Sequence, residues 1–322
     1  MPLTAPLRLS EATRRQLRCP VCRSELELSD SRLTCVNPSC NTVFPVIDGV
    51  PVLINESSSV FSIADFVSKR STFFKPASPI KGALAKSLPS MGHNLRARTN
   101  YKQFADMLLA GKDRPRVLAV GASIVGEGLD IILDTGAIEL IETDIAFGPR
   151  TSLICDAHDI PFEDGGFDGI ITQAVLEHVV DPYRCVSEIH RVLKDGGLVY
   201  GEIPFMQQVH GGGIDFTRFT HLGLRRLFRS FEELCSGAAA GPGMALAWSC
   251  EYLLLSFVVS KNARSVMKLV SRLGFSWLKY LDYYLMDKPG TLDAASGYYF
   301  IGRKSDHAVP DRELIKLYRG GQ

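Results

Sequence analysis

Residues 117–133 read VLAVGASIVGEGLDIIL, and this stretch decides the fold. Four consecutive apolar residues, Val117 to Val120, predict a buried strand; the glycines that follow predict a tight turn, and the apolar residues from Leu129 to Leu133 predict a helix. A glycine turn between a strand and a helix lets a nucleotide-like ligand lie against bare backbone amides at the helix N-terminus. Because any Rossmann unit shows this pattern, dinucleotide sites included, it predicts the fold class and leaves the ligand open.

Acidic residues at regular spacing narrow the choice of ligand. The segment 138–144 predicts a second strand that ends in Asp144, 23 residues after the first glycine of the turn. A carboxylate at that place can accept hydrogen bonds from both hydroxyls of a ribose, and we prefer Asp144 to Glu142 for this role. A third strand that ends in Asp156 and a fourth over 169–173 follow along the chain. This order predicts an α/β fold.

Five motifs follow one another between about residues 115 and 205, namely VLAVGAS, ETDI, DAHDIPF, FDGIITQAVLEHVVDP and EIHRVLKDGGLVYGEIPF. In this order they resemble the class I methyltransferases of the UbiE-like type. The resemblance implies a Rossmann-like seven-stranded sheet with helices on both faces, in which Gly297 to Gly302 belong to a closing antiparallel hairpin. It also implies S-adenosylmethionine as the methyl donor.

The same resemblance assigns roles to individual residues of the donor site. It implies that Gly121, Ala122 and Gly126 line the methionine and the ribose, and that Asp144 holds the ribose. It also implies that Asp156 and Ala157 flank the adenine. Gln173 would touch the sulfonium end. The chain departs from the family at Ala119, where an acid usually stands two residues before the first glycine, and its glycine turn carries extra residues. Contacts to the amino-acid part of the donor therefore stay open, and a non-catalytic donor-binding scaffold is an alternative.

Methyl transfer needs an aligned acceptor atom and, where that atom is protonated, a group that takes its proton. In open α/β sheets ligands lie beyond the carboxyl ends of the strands, which points to residues 174–178 and to the loop 204–221. His178 is a candidate base in the first segment; its alternative is a residue that only packs at a helix start. His210 and Asp215 are candidate acid and base groups in the second, and the alternative there is a purely structural loop.

Four cysteines lie close together near the N-terminus, with two residues between the first pair, twelve between the pairs and four within the second pair. Two tight turns with this spacing can present four thiolates tetrahedrally to one structural zinc ion. The predicted ligands are Cys19, Cys22, Cys35 and Cys40.

A strand, an Asp-Gly turn and a strand follow over 43–54. The segments CPVC, CVNPSC and FPVIDGVPVLI resemble the small zinc-ribbon family whose eukaryotic member activates tRNA and protein methyltransferases, which implies a protein-contacting ribbon.

Composition divides the rest of the chain. We place the zinc-ribbon domain at 1–60, a basic, partly helical linker at 61–105, the methyltransferase domain at 106–305 and a C-terminal tail at 306–322. Eight basic residues and no acidic one lie between Phe66 and Ala105. This run favours contact with RNA or with anionic lipid, and its alternative is a solvated connector.

A helical insert at about 240–290 exceeds what the seven-stranded fold needs. Its basic residues Lys261, Arg264, Lys268 and Arg272 fall on one stripe of a predicted helix that also carries apolar residues. This pattern favours a lid over a hydrophobic acceptor or a peripheral membrane contact, with an ordinary surface helix as the alternative. No apolar stretch reaches the roughly 18 to 20 residues of a membrane span, and the N-terminus lacks an apolar signal segment, so we expect a cytoplasmic protein, peripheral to a membrane at most.

Charge and motifs together rank three functions. The net charge of +1 gives no overall field that would attract nucleic acid. The run DFTRFTHLGLRRLF at 215–228 loosely resembles methyltransferases of bacterial cell-surface glycan and lipid gene clusters. Methyl transfer from S-adenosylmethionine to a small molecule, a lipid or a glycan precursor is therefore our first prediction. An RNA methyltransferase that uses the ribbon and the linker is second, and the non-catalytic scaffold is third.

Overall fold

The computed structural model describes residues 6–69, 89–124 and 126–322. The strands are β1 (Leu26–Ser29), β2 (Arg32–Cys35), β3 (Val43–Ile47), β4 (Val50–Leu53), β5 (Arg116–Val120), β6 (Glu139–Asp144), β7 (Leu153–Cys155), β8 (Phe167–Gln173), β9 (Leu193–Pro204), β10 (Phe231–Ala240) and β11 (Gly297–Lys304). The helices are α1 (Glu11–Arg15), α2 (Ile63–Val67), α3 (Ala97–Gly111), α4 (Asp130–Asp134), α5 (Pro182–Val192), α6 (His221–Leu227), α7 (Pro242–Ser256), α8 (Lys261–Phe275), α9 (Asp282–Leu285), α10 (Thr291–Ala294) and α11 (Asp311–Leu314). Short 3-10 turns lie at 157–159, 212–214, 276–281 and 315–317.

Strands β5 to β11 form the predicted Rossmann-like sheet, in the order β7-β6-β5-β8-β9-β11-β10. The first five are parallel, and the sequence order reverses between β5 and β8. Strand β11 enters antiparallel between β9 and β10, which confirms the closing hairpin. Helix α3 packs on one face through Tyr101 and Phe104, and α5 packs on the other through Ile189 and Val192. The prediction of a seven-stranded sheet covered on both faces is thus confirmed.

The four ribbon strands extend this sheet. Strands β1 to β4 are antiparallel, and β4 pairs in parallel with β7 through Val52 with Ile154 and Leu53 with Cys155. Within the described residues one continuous sheet of eleven strands results. The predicted Asp-Gly turn joins β3 to β4 with Asp48 at φ +52° and Gly49 at φ +80°, the left-handed pair that a type I′ hairpin turn requires.

The segment between α6 and the insert differs from the sequence prediction. The sequence predicts a helix over 222–231, whereas α6 ends at Leu227 and 231–240 form strand β10. Its sequence, FEELCSGAAA, is poor in β-branched residues and has little strand propensity of its own. The strand exists because it pairs with β11 along nearly its whole length, from Phe231 with Lys304 to Ala240 with Gly297.

The insert consists of α7 and α8 followed by the 3-10 turn 276–281 and α9. A small core that includes Ala247 and Leu278, with Met91 from the linker, holds it together. In α8 only Ser271 is buried, so this helix touches the protein along a narrow line. Within the described ranges, no helix has both the length and the apolar character that crossing a membrane requires.

The basic linker is described only in part. The sequence predicts that the end of the linker, over 100–109, is helical, and α3 runs over Ala97–Gly111 there. Four of the eight basic residues lie outside the described residues: Arg70, Lys75, Lys81 and Lys86. The other four each form an ion pair, namely Lys69 with Asp48, Arg96 with Asp287, Arg98 with Asp130 and Lys102 with Asp106.

Candidate functional site

A cavity of about 350 Å³ opens beyond the carboxyl ends of β5, β6, β8 and β9. It lies at the point where the strand order reverses, which is where doubly wound sheets bind their ligands. Its lining includes, among others, Gly121, Ala122, Gly126, Asp144, Gln173, His178, Glu202 and His210. The structure therefore brings donor residues predicted from three separate motifs, and two of the three predicted catalytic residues, to one cavity.

The glycine turn forms one wall, and two of its glycines cannot be replaced without collision. Gly121 has φ +74°, and a Cβ there would lie 2.3 Å from a methyl group of Val175. A Cβ at Gly126 would lie 1.9 Å from the side-chain oxygen of Gln173. The amides of Gly121 and Ala122 both donate to the carbonyl of Thr143, 2.8 and 3.1 Å away, which fixes the turn to the end of β6.

Asp144 lies at the end of β6 and is held rigidly. One carboxylate oxygen accepts a hydrogen bond from the amide of Ser123 at 2.8 Å, and the other accepts one from the amide of Ala146 at 2.9 Å. Burial raises the pKa of Asp144, although these amides act in the opposite direction. The alternative acid, Glu142, is paired with Arg150 at 2.8 Å. This geometry places a fixed acceptor where a ribose would need one.

Asp156 and Ala157 follow β7, one strand further along the same edge. Asp156 accepts hydrogen bonds from the amide and the ring of His158 at 3.0 and 2.6 Å, and from the hydroxyl of Ser59 at 2.5 Å. Burial raises the pKa of Asp156, but the hydrogen bonds from His158 and Ser59 outweigh it and the net shift is downward. Ala157 is buried in the 3-10 turn. The carboxylate predicted to flank adenine therefore accepts a hydrogen bond from a residue of the zinc-ribbon domain.

Gln173 and Glu202, at the ends of β8 and β9, form a hydrogen-bonded floor. The Gln173 amide oxygen accepts from Tyr101 at 3.0 Å, and its amide nitrogen donates to Glu202 at 3.2 Å. Glu202 also accepts from Tyr200 at 2.8 Å and from Asn94 at 2.5 Å. Burial raises the pKa of Glu202 to about 7. Of these residues the sequence identified only Gln173, although Glu202, like Asp144, is an acid at the carboxyl end of a strand.

The acceptor wall contains two histidines that face one buried carboxylate. Glu177 is fully buried, and one of its oxygens lies 3.8 Å from Nε2 of His178 and 3.7 Å from Nε2 of His210. The two imidazole rings meet edge to face with centroids 5.0 Å apart. The nearby Glu177 carboxylate raises the pKa of His210. Sequence analysis missed Glu177, although it precedes His178 directly in the chain.

Asp215 lies behind His210 and holds the loop. Its carboxylate accepts hydrogen bonds from the amides of His210 and Gly211 at 2.8 and 2.9 Å and pairs with Arg218. These contacts lower the pKa of Asp215 even though burial acts to raise it. With both oxygens engaged and the proton lost at any ordinary pH, Asp215 is better placed to position His210 than to exchange protons with an acceptor.

Helix α7 of the insert packs against the loop that carries His210. The side chain of Ser249 accepts a hydrogen bond from Gln208 at 3.0 Å, and Tyr252 donates to the carbonyl of Val209 at 2.7 Å. These two loop residues immediately precede His210 in the chain. The insert and the acceptor wall are therefore one connected unit.

The four N-terminal cysteines come together as predicted. The sulfur atoms of Cys22 and Cys35 lie 3.4 Å apart, those of Cys19 and Cys40 lie 3.8 Å apart, and all four lie within 4.8 Å of one another. Two zinc–sulfur bonds of about 2.3 Å at the tetrahedral angle would separate the sulfurs by about 3.8 Å. The cluster therefore fits a structural zinc ion.

Comparison with known proteins agrees with the motifs. A family model described as "Methyltransferase domain" matches residues 129–201, which contain β6 to β8 and the cavity residues Asp144, Gln173 and His178. Residues 129–201 are therefore similar to a methyltransferase domain, in agreement with the motifs that predict one. S-adenosylmethionine is the methyl donor of this family, and the cavity at the switch point contains residues predicted to bind it.

The relatives share only part of this chain. An uncharacterized methyltransferase of Mycobacterium bovis is 34% identical over 117 residues, which cover 34% of this chain and 47% of the relative. A demethylmenaquinone methyltransferase of Symbiobacterium thermophilum is 34% identical over 76 residues, or 22% of this chain and 30% of the relative. The chain thus spans about half the length, or less, of these curated relatives. A solved SAM-dependent methyltransferase from Archaeoglobus fulgidus is 17% identical, with a TM-score of 0.38 over 65% of this chain and 94% of the other.

Proposed function

We propose that this chain transfers a methyl group from S-adenosylmethionine to a hydroxyl of a small or lipid-linked acceptor at a membrane surface. The observation that carries the proposal is the shared cavity, in which the donor residue Asp144 and the acceptor-wall residues His178 and His210 line the same space. A scaffold that only binds the donor would have no need of two histidines facing a buried carboxylate on the opposite wall.

Methyl transfer is an in-line displacement, so the site has to hold the donor and align the acceptor. Asp144 is placed to accept hydrogen bonds from the ribose, and the glycine turn leaves room for the amino-acid part of the donor. As the acceptor oxygen bonds to the methyl carbon, the S–CH₃ bond breaks and its electron pair stays on sulfur, leaving neutral S-adenosylhomocysteine. The acceptor hydroxyl loses its proton in the process, and the Glu177, His178 and His210 cluster is the group of side chains placed to promote that loss.

Glu202 gives this chain a carboxylate for the donor's ammonium group. The family acid two residues before the first glycine is Ala119 here, yet Glu202 lines the same cavity beside Gln173. Burial favours the protonated form of Glu202. An ammonium group beside it would favour the carboxylate and form a charge-assisted hydrogen bond with it. We assign Glu202 to the amino-acid end of the donor and Asp144 to the ribose end.

The outer surface of the insert favours an acceptor at a membrane. On α8 the apolar residues Val266, Leu269, Val270 and Leu273 are 40–63% exposed, on the side of the helix opposite the buried Ser271. The preceding turn exposes Phe257 and Val259. Contiguous exposed apolar surface next to basic residues is typical of helices that lie in a lipid interface. The relative named demethylmenaquinone methyltransferase is consistent with a small, lipid-like acceptor.

RNA is a weaker candidate for the acceptor. All four basic linker residues within the described ranges are paired with carboxylates: Lys69, Arg96, Arg98 and Lys102. Such pairing reduces the positive potential on which phosphate binding depends. Transfer of a tritiated methyl group into fractionated cell extract separates the candidates, because the label should enter the lipid or small-molecule pool. Label in the RNA pool would overturn the proposal, and no label in any pool would favour the scaffold.

Calorimetry with two ligands tests the donor assignment. S-adenosylhomocysteine carries both the ribose and the amino acid, whereas methylthioadenosine lacks the amino acid. Asp144→Ala should weaken both ligands by at least tenfold, or about 1.4 kcal/mol. Glu202→Gln should weaken S-adenosylhomocysteine by a similar factor and leave methylthioadenosine unchanged. Equal effects of Glu202→Gln on both ligands would contradict its assignment to the amino-acid end.

A further inference from the structure

The Glu177 carboxylate is a fully buried ionisable group in the acceptor wall. The residue is 0% exposed, and within the part of the chain that the structure describes neither carboxylate oxygen has a hydrogen-bond partner. Burying an ionised carboxylate without partners costs several kcal/mol, so such groups are normally paired or bound to a metal. The groups that one of its oxygens faces, at 3.7 and 3.8 Å, are the Nε2 atoms of His210 and His178.

Both imidazoles point Nε2 toward the same carboxylate oxygen of Glu177. Nδ1 of His178 donates to the carbonyl of Ile214 at 2.9 Å, and Nδ1 of His210 donates to the carbonyl of Gln208 at 3.2 Å. A carbonyl can only accept, so in neutral His178 the hydrogen lies on Nδ1 and the lone pair lies on Nε2; in His210 the guanidinium of Arg218 also lies 3.5 Å from Nδ1. Metal-binding histidines are usually oriented in this way, through a hydrogen bond from their other ring nitrogen.

We propose that Glu177, His178 and His210 bind a divalent transition-metal ion in the acceptor wall of the cavity. Two metal–ligand bonds of about 2.1 Å span up to about 4.2 Å, which accommodates both measured nitrogen–oxygen separations. All three ligand atoms lie within 4.8 Å of one another, and a small movement of the glycine-rich His210 loop brings the two nitrogens to the same ion. Two imidazoles and one carboxylate favour zinc, iron, cobalt or manganese over magnesium or calcium.

The ion would hold and activate the acceptor, a role that rests on the proposed methyl transfer. Three protein ligands leave coordination positions open toward the cavity, where an acceptor hydroxyl can bind through oxygen. A bound cation stabilises the deprotonated oxygen, so the hydroxyl proton passes to solvent water more readily and the oxygen is left as the nucleophile. The site thereby predicts acceptors that present a hydroxyl, together with a second oxygen where two positions are open.

Metal analysis of the full chain tests the site without relying on activity. Equilibration with Co²⁺ followed by gel filtration should leave two ions per chain, one in the cysteine cluster and one at Glu177. Cobalt bound to thiolates shows sulfur-to-metal charge-transfer absorption, whereas cobalt bound to imidazole and carboxylate does not. Glu177→Gln and His210→Ala should each remove one ion and leave the thiolate absorption unchanged. His307→Ala, which removes an exposed histidine outside the cluster, should keep both ions.

One ion per chain in the wild type, or two ions in either cluster variant, would overturn the proposal. Binding of S-adenosylhomocysteine by His210→Ala reports whether the cavity still folds, so loss of the ion is separable from loss of structure. Methyl transfer by protein that lacks the second ion would also overturn the site, while leaving the proposed function standing. A second ion in a chain that transfers no methyl group would support the metal site and contradict the proposed function.

Discussion

The ribbon and the insert both add to the seven-stranded core, and they use their apolar residues in opposite ways. The ribbon extends the central sheet through β4 and shares one core with it, in which Leu33 and Phe44 belong to the same cluster as Phe162 and Phe167. The insert leaves much of its apolar surface in solvent, with Phe257 at 78% and Val259 at 96% exposure. Apolar area buried within the chain stabilises the fold, whereas apolar area left in solvent is available to a partner.

Polar contacts reinforce the difference. Arg23 of the ribbon donates to Glu188 of α5 at 2.7 Å and to the carbonyl of Ile160 at 2.9 Å. Ser58 donates to Asp159 at 2.6 Å, beside the Ser59 contact with Asp156. The ribbon therefore supports, from within the chain, the segment that is predicted to flank adenine. The insert, by contrast, makes polar contacts with the acceptor loop and with the linker, and its exposed apolar surface lies outside.

The largest expected effect comes from removing the metal site of the ribbon. Cys19→Ser with Cys22→Ser should abolish one bound zinc per chain and lower the free energy of unfolding by roughly 5 kcal/mol or more, because metal binding of a structural site is folding free energy. Since the ribbon shares the sheet and the core, the methyltransferase domain should lose stability with it. Thermal unfolding with zinc analysis measures both effects.

Cys250→Ser is the matched control for this double change, because Cys250 lies in α7 of the insert, outside the cysteine cluster. We expect it to change the free energy of unfolding by no more than about 1 kcal/mol. An unfolding profile in which the double variant loses only a separate small transition, with the main transition unmoved, would show that the ribbon is not coupled to the core.

A smaller effect is expected from the Arg23 contact. Arg23→Met leaves Glu188 with Arg191 as its remaining ion-pair partner and should cost about 1–3 kcal/mol. Burial raises the pKa of Glu188, but Arg191 and Arg23 outweigh it and the pKa in the folded protein is lowered. The difference between wild type and variant should therefore be full above the ordinary glutamate pKa of about 4.3 and should vanish as the pH falls through the lower folded value.

Urea unfolding at pH 7 and at acidic pH measures this difference. Arg15→Met is its control, because the Arg15–Glu11 pair is also an arginine–glutamate contact, at 2.5 Å, but both side chains are more than 60% exposed. An exposed pair contributes little, so the control should stay within about 0.5 kcal/mol of wild type. If both variants lose the same amount, the Arg23 contact does not join the ribbon to the core.

Local sequence patterns were sufficient for most of the fold. Strand β5, the glycine turn and Asp144 are readable because their signals lie within a few residues of one another. The cysteine spacing is equally local, and the four sulfurs do meet. Strand β10 was missed because its stability comes from pairing with β11, about 60 residues away, and its own residues give no strand signal.

The candidate site was readable only in part, for the same reason. Glu202 and Tyr101 meet Gln173 through contacts between distant segments, and no short motif announces them. Sequence analysis missed Glu177 because its residue type is ordinary, and only its complete burial beside two histidines sets it apart. Asp215 was predicted as a candidate acid or base group, but its two amide contacts and its pairing with Arg218 are visible only in three dimensions.

The smallest expected effect concerns the exposed face of α8. Val266→Gln with Leu273→Gln removes two apolar side chains that are 55% and 63% exposed and keeps the charge of the helix. Binding to phosphatidylglycerol vesicles in a flotation assay should weaken about tenfold, or about 1.4 kcal/mol, because less apolar area enters the lipid interface. The free energy of unfolding should change by no more than about 0.5 kcal/mol, since these side chains are largely exposed.

Ile315→Gln is the control for general surface hydrophobicity, because Ile315 is 70% exposed in the C-terminal segment, outside the insert. It should leave vesicle binding unchanged. If the control weakens binding as much as the α8 variant, the contact is unspecific. If neither variant affects vesicle binding, the insert does not face lipid. Its exposed apolar surface would then be available to a protein partner, in contrast to the buried apolar surface of the ribbon. Retained binding at high salt would add that apolar burial, rather than the basic stripe, holds the chain at the membrane.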